Sequence, residues 1–441
     1  MVARDFMIRL HTFILSGLLL GSAAISVAED FQGSTQRLEY DEEPILYSKK
    51  QPDDPIGRLQ ARIDSGEVKL AWDEKFGYLP ALLDALGVPR SSQMLVFSKS
   101  SLQRKLISPS NPRAIYFNDN VYLGYIPGAP MMEISTADPK LGGIFYSLEQ
   151  EKVRKPKFER NQDCMSCHGA QRTLGVPGHF VRSVPTDESG ELDTQREVSD
   201  ITQCTPLADR WAGWYVTGQH GDQAHRGNLV GAKAFARAAE EPNYLGNLTE
   251  LGQFFDESKY LDKGSDIVAL MVLEHQAHMH NYITRLNFET QMMMAMYGHT
   301  RYLRHQVEAF LRYLLFTEEA PLTAPLKGNP EFTAAFQEPG PRDVQGRSLR
   351  DLDLQTRLFK YPCSFLIHSD AFAKLPPVMK EELLRRLHAI LTGEDQSPAF
   401  AKIAASDRQA ILEILRATLP SLPDYWRTGV AGRSKTPPTG G

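Results

Sequence analysis

Asp266-IVALMVLEHQAHMHNYITRLNFETQMMMAM-Tyr297 runs 32 residues without proline or glycine. At the standard rise this predicts one helix of roughly 48 Å. Side chains three or four apart share a face. Val268, Met271, Val272, His275, Met279, Tyr282 and Leu286 therefore form an apolar stripe, while Glu274, His278, Asn281 and Arg285 form a polar one. The polar stripe reads most simply as a solvated face. Met292, Met293, Met294 and Met296 point in several directions around the helix, which suits gap-filling core packing rather than metal ligation.

The pattern continues outward from this helix. Downstream, residues 301–317 predict a second helix, and the Pro- and Gly-rich residues 320–347 predict a long loop. Helices follow at 376–391 and 406–419, the last opening on a capping box of Ser406 and Gln409. Upstream, helices are expected at 56–64 and at 79–86, the second closed by Gly87. Short β-branched or aromatic runs at 94–97, 114–117, 121–126, 131–134 and 143–146, separated by turn residues, predict strands. The expected fold class is α+β: an N-terminal mixed α/β section over 29–154, a loop-rich segment over 155–235 with one strand at 214–217, and a mainly α-helical half over 236–427. A disordered tail is expected over 428–441.

Composition narrows the function classes. The chain has 441 residues, of which 42% are hydrophobic and 23% charged, the balance of an ordinary globular protein. With 49 basic against 54 acidic residues there is no positive excess to neutralise phosphates, so nucleic acid is not an expected partner. Arg4 and Arg9 precede an apolar run from Phe13 to Ile25 that ends in Ser26-Val27-Ala28. This reads as a secretory signal cut after Ala28, which predicts a periplasmic or otherwise exported protein with no integral membrane span once the signal is removed.

Four cysteines are too few for a disulfide scaffold in a chain this long, so their spacing carries the information. Cys164-Met165-Ser166-Cys167-His168 is C-x-x-C-H, the attachment sequence of c-type haem. One helical turn presents both sulfurs to one porphyrin edge, and the adjacent histidine supplies the proximal iron ligand. Chance would produce this pattern in roughly one such chain in a thousand. The expected cofactor is a single covalent haem c held by Cys164, Cys167 and His168. A thioredoxin-like pair would need a βαβ setting that the flanks lack, and a structural zinc would need two more ligands, for which Cys204 and Cys363 are the only cysteines left. Those two could instead pair as a disulfide.

The sixth iron position sets potential and reactivity. No methionine occurs between Met165 and Met271, which disfavours a local His/Met haem. The candidates are His179, in the turn Gly175-Val176-Pro177-Gly178-His179, and His275, which is either a satisfied core histidine or a ligand. His220 and His225 lie in a polar loop and read as solvated. Trp211 and Trp214 are candidates to pack on the porphyrin edge or, equally, ordinary core residues.

At Asp163 to His168 the chain resembles the c-type cytochromes. Gly175-Val176-Pro177-Gly178-His179-Phe180-Val181-Arg182-Ser183, Trp211-Ala212-Gly213-Trp214-Tyr215-Val216-Thr217, Leu273-Glu274-His275-Gln276 and Arg350-Asp351-Leu352-Asp353-Leu354 resemble a family of large exported bacterial cytochrome c domain-containing proteins. That likeness spans about residues 40–427. It implies haem binding and single-electron transfer with a redox partner protein, and supplies neither a substrate nor a distal ligand. The rival expectation is a haem-dependent oxidoreductase with an open or displaceable sixth position, using His220, His225 or Glu274 as acid/base groups. A third is a haem-based sensor or docking protein.

Overall fold

The structure is a computed structural model and describes residues 38–420 and 422–427. The expected signal segment and the C-terminal tail lie outside the described residues. Two short helices, α1 (Pro55–Ser65) and α2 (Leu79–Leu86), come first. Asp54 caps α1 by accepting from the Gly57 amide at 2.7 Å, and Gly87 closes α2 at φ 63, where a residue with a Cβ is strained.

Strands β1 (Met94–Val96), β2 (Arg113–Phe117), β3 (Val121–Tyr125), β4 (Met131–Asp138), β5 (Gly142–Glu149) and β6 (Phe158–Arg160) form an antiparallel meander. The turn α3 (Met165–His168) follows, then the ribbon of β7 (Val181–Ser183) and β8 (Ser199–Ile201). Strand β9 (Trp214–Tyr215) returns to pair with β1, giving a seven-stranded sheet in the order β6-β5-β4-β3-β2-β1-β9. The loop-rich segment over 155–235, expected to hold one strand, thus gives both β6 and β9 to this sheet and pairs β7 with β8 beside it.

The remaining chain is helical: α4 (Gly231–Glu240), α5 (Ile267–Tyr297), α6 (Arg304–Leu314), α7 (Pro330–Gln337), α8 (Asp370–Ala373), α9 (Pro377–Thr392) and α10 (Ala405–Thr418). The architecture is α+β, with a seven-stranded antiparallel sheet toward the N-terminus and a helical C-terminal half. Because side chains alternate along a strand, Leu95 and Tyr116 join the core beneath α1 and α2, while Met94, Val96, Phe117 and Tyr122 join the core around α5. Among the described residues no helix is long and apolar enough to cross a membrane.

Some expectations change. The loop expected at 320–347 contains α7, started by Pro330 and capped by Asn329. The capping box at Ser406 does not form, because α10 begins at Ala405 and the Gln409 amide turns to Glu413 at 2.5 Å. The methionine cluster is not core throughout: Met292 and Met293 pack inward, but Met294 and Met296 are 40% and 64% exposed.

The largest correction concerns α5, which is buried around its whole circumference from Ile267 to Ala277. The stripe expected to be solvated is interior: Glu274, Asn281 and Arg285 are all at most 1% exposed, and His278 is half-buried. The helix carries only three formally charged residues in 31, too few for a water-facing side of that length.

Candidate functional site

The turn α3 is built locally. Cys164 sits at its N-cap, and its carbonyl accepts from the amides of Cys167 at 3.2 Å and His168 at 2.9 Å. Ser166 Oγ donates to the Asp163 carbonyl at 2.9 Å, closing the same turn. Met165 is the buried member, with its sulfur 3.5 Å from the Tyr47 hydroxyl, so the turn stands on the core with Cys167 outward and Cys164 half-buried. Gly169 ends the turn where a Cβ would lie 2.3 Å from the Tyr40 hydroxyl, so a larger residue there has to displace the Tyr40 side chain. None of the four cysteines is in a disulfide, so Cys204 and Cys363 do not pair. Burial pushes the Cys164 thiol up to about 11.

His168 is held on three sides. Its ring lies between Phe145 at 4.5 Å and Phe180 at 4.8 Å, centroid to centroid. Its Nδ1 is 2.9 Å from the Gly178 carbonyl oxygen. A carbonyl only accepts, so Nδ1 carries the proton. Burial lowers the His168 pKa to about 4, which keeps the ring neutral at pH 7 and leaves the Nε2 lone pair bare. No partner for Nε2 occurs among the described residues. The Gly178 amide returns a bond to the His168 carbonyl at 2.9 Å, so the two residues are linked in both directions.

The loop carrying Gly178 is pinned from the sheet and from α5. The Gly143 amide donates to the Pro177 carbonyl at 2.8 Å, and Arg285 Nη1 donates to the Leu174 carbonyl at 2.8 Å. Leu174 takes φ 58, a left-handed conformation that costs a non-glycine residue about 1 kcal/mol, and the Arg285 bond holds it there. Asn281 grips both ends of His179: Oδ1 accepts from its amide at 2.9 Å and Nδ2 donates to its carbonyl at 2.6 Å.

Strand register explains the other wall. Tyr122 pairs with Ser135 and Ser135 with Phe145, so the three side chains stand in a row on one sheet face. They enclose His179, whose Nε2 lies 3.0 Å from Ser135 Oγ and whose ring is 4.3 Å from Tyr122 and 5.6 Å from Phe145. The His168 and His179 rings are 6.4 Å apart, and His179 Nδ1 is buried without a partner. The structure thus brings Cys164, Cys167, His168 and His179 together.

It does not bring His275 to them. His275 is fully buried, with Nδ1 2.5 Å from Gln203 Oε1 and Nε2 2.8 Å from Ser364 Oγ, against Tyr313, Phe316, Phe359 and Phe365. Both nitrogens are occupied, the arrangement of a satisfied core histidine. His220 and His225 are not solvated as expected; they are 1% and 7% exposed with rings 4.7 Å apart. Backbone amides of Asn247 and Gly227 donate to His220 Nε2 and His225 Nδ1. Trp211 is interior, its Nε1 donating to Glu274 Oε2 at 3.3 Å, and Glu274 also pairs with Arg210.

Beside the motif lies a cavity of about 630 Å³, bordered by Arg172, Leu174, Phe180, Asp200, Glu274 and His278. Arg172 sits 5.3 Å over the Phe180 ring that covers His168, and Arg182 lies 3.5 Å from Asp200.

These residues fit a covalent haem c. Two unpaired thiols occupy one turn, and the histidine that follows them has its proton locked on Nδ1 and its Nε2 bare. Among the described residues no three His, Cys, Asp or Glu side chains cluster as a metal-ion site. Comparisons with protein-family models, curated proteins and solved structures return no match for this chain.

Gly178, Asn281 and Phe145 were not singled out from the sequence. The available signal was the scarcity of charge on α5, which marks Asn281 and Arg285 as interior groups in need of partners.

Proposed function

We propose that this protein is an exported monohaem c-type cytochrome that carries out single-electron transfer with a redox partner protein. The observation that supports this most is the Nδ1–H bond from His168 to the Gly178 carbonyl, beside the free thiols of Cys164 and Cys167. It fixes the tautomer and orientation that an iron-ligating imidazole requires. Haem c, when bound, supplies one-electron ferric/ferrous chemistry. Cys164 and Cys167 would hold the porphyrin by thioether bonds, and His168 would offer Nε2 to the iron. Phe145 and Phe180 keep the imidazole from rotating and exclude water from its faces. Of the two sixth-ligand candidates, His179 keeps an unpartnered ring nitrogen and His275 does not.

The deciding experiment is expression of the full chain in a bacterium able to mature c-type cytochromes, followed by a pyridine haemochrome assay. One covalent haem per chain is expected, and its loss in Cys164→Ala/Cys167→Ala. A haem-free wild-type protein from such a strain defeats the proposal.

The polar cavity bordered by Glu274, His278 and Arg172 favours a second reading, a haem-dependent oxidoreductase acting on a small molecule. Absorption spectra with carbon monoxide or cyanide separate the two. A low-spin haem inert to both supports transfer alone, and a haem that binds them supports the enzyme.

A further inference from the structure

We propose that Asn281, in the middle of α5, is a positioning residue for the proximal ligand: it holds the 178–179 peptide so that the Gly178 carbonyl locks the proton of His168 on Nδ1. This rests on the haem reading for its redox consequence and on the hydrogen bonds alone for its geometry.

Asn281 is fully buried and, among the described residues, uses its carboxamide on one residue, accepting from the His179 amide and donating to the His179 carbonyl. The Gly178 carbonyl belongs to the same peptide unit as that amide. Fixing the His179 N–H therefore fixes the direction of the oxygen that His168 Nδ1 meets at 2.9 Å. Gly178 leaves room for the grip, since a Cβ there would stand 2.1 Å from Asn281 Oδ1. On the other side the loop rests on Gly143, whose own Cβ would lie 3.0 Å from the Gly178 amide. The carbonyl is clamped between β5 and α5, so a helix more than a hundred residues downstream of the motif controls the tautomer of its histidine.

The chemical consequence follows from the hydrogen bond. A carbonyl that accepts from Nδ1–H makes the imidazole more basic at Nε2, which favours ferric over ferrous iron. Releasing the peptide weakens that bond and raises the reduction potential.

Two measurements on the full-length chain test this. In apo protein from cells without cytochrome maturation, nitrogen NMR of ¹⁵N-histidine-labelled chain, with His168 assigned by its loss in His168→Gln, reads the tautomer directly. Wild type is expected to hold the proton on Nδ1, and Asn281→Ala to give a mixture of tautomers. In haem-loaded protein, Asn281→Ala is expected to shift the ferric/ferrous equilibrium about tenfold toward ferrous, a rise of about 59 mV for one electron.

Asn287→Ala is the control. Asn287 is a buried asparagine on the same helix that donates to the Lys140 carbonyl at 3.2 Å, and its removal is expected to move neither reading. Should Asn281→Ala fail to fold, Asn281→Asp keeps the acceptor for the His179 amide and loses the donor to its carbonyl. Equal effects from Asn281 and Asn287, or an unchanged tautomer in a folded Asn281 variant, overturn the clamp. A wild-type chain that shows the fixed tautomer but takes up no haem overturns the cytochrome reading and leaves the clamp standing.

Discussion

The two sides of α5 are both buried, yet they are buried against opposite kinds of surface. The side bearing His275 and Tyr282 meets aromatic and aliphatic side chains of the helical half, among them Tyr313, Phe316 and Phe359. The side bearing Glu274, Asn281 and Arg285 meets the backbone and polar groups of the loops around the C-x-x-C-H turn. Loops carry carbonyls and amides that no ladder satisfies, and a helix that packs on them must bring polar side chains to do so. A polar stripe can therefore mark either water or irregular backbone. Here it marks the attachment of the motif segment to the rest of the molecule.

The sharpest way to break this contrast is on the loop side. The Arg210–Glu274 pair is almost completely buried, with the two side chains 2% and 0% exposed. Glu274→Ala leaves the guanidinium buried without its counter-charge and is expected to cost about 3–5 kcal/mol in urea denaturation. Replacing both residues with apolar side chains of similar volume should recover most of that loss. A single-variant cost below about 1 kcal/mol would mean that water reaches Arg210.

On the apolar side the corresponding change is His275→Leu. It removes the partner of Gln203 Oε1 and of Ser364 Oγ without stranding a charge, so about 1–3 kcal/mol is expected, less than for Glu274. If the two costs are equal, the distinction between the sides is not energetic.

His275 adds a pH test. Its pKa is lowered from 6.5 to about 3, first by burial. Below pH 6.5 the unfolded chain binds a proton there that the folded chain refuses, so stability falls as pH drops from 6.5 toward 3. The contribution of this one group is about 1.4 kcal/mol per pH unit across that window. His225, lowered by burial to about 3, and His168, lowered by burial to about 4, act in the same direction. His275→Leu should flatten the slope between pH 6 and 5 by about one proton, and an unchanged slope would place the acid sensitivity elsewhere.

Much of the frame was legible in the sequence because it rests on local rules. The proline-free run gave α5 within a residue, and turn residues between β-branched runs gave β1 to β5. The motif was legible for the same reason, since one turn contains it. What periodicity could not show is which neighbour a face meets. Asn281 and Gly178 are about a hundred residues apart, and their contact depends on the β9 strand returning to β1 and drawing the intervening loops between sheet and helix. His275 and His179 looked equivalent as candidates because a sequence lists imidazoles without their partners. The three-dimensional difference is that Gln203 and Ser364 complete one ring, whereas Ser135 bonds only one nitrogen of the other.

The smallest expected effect lies where the contrast between the two sides ends. Beyond Met293 this packing stops, and Met294, Met296 and Tyr297 are exposed in place of the continuous burial upstream. Gly298 then stops the helix at φ 71, its amide bonded to the Met294 carbonyl at 3.1 Å. A methionine there contributes little packing, and alanine has the higher helix propensity, so Met296→Ala should change stability by no more than about 0.5 kcal/mol in the same denaturation assay. A loss of 2 kcal/mol or more would show that the end of α5 is covered in solution, and that both of its sides, rather than neither, continue to pack to the last turn.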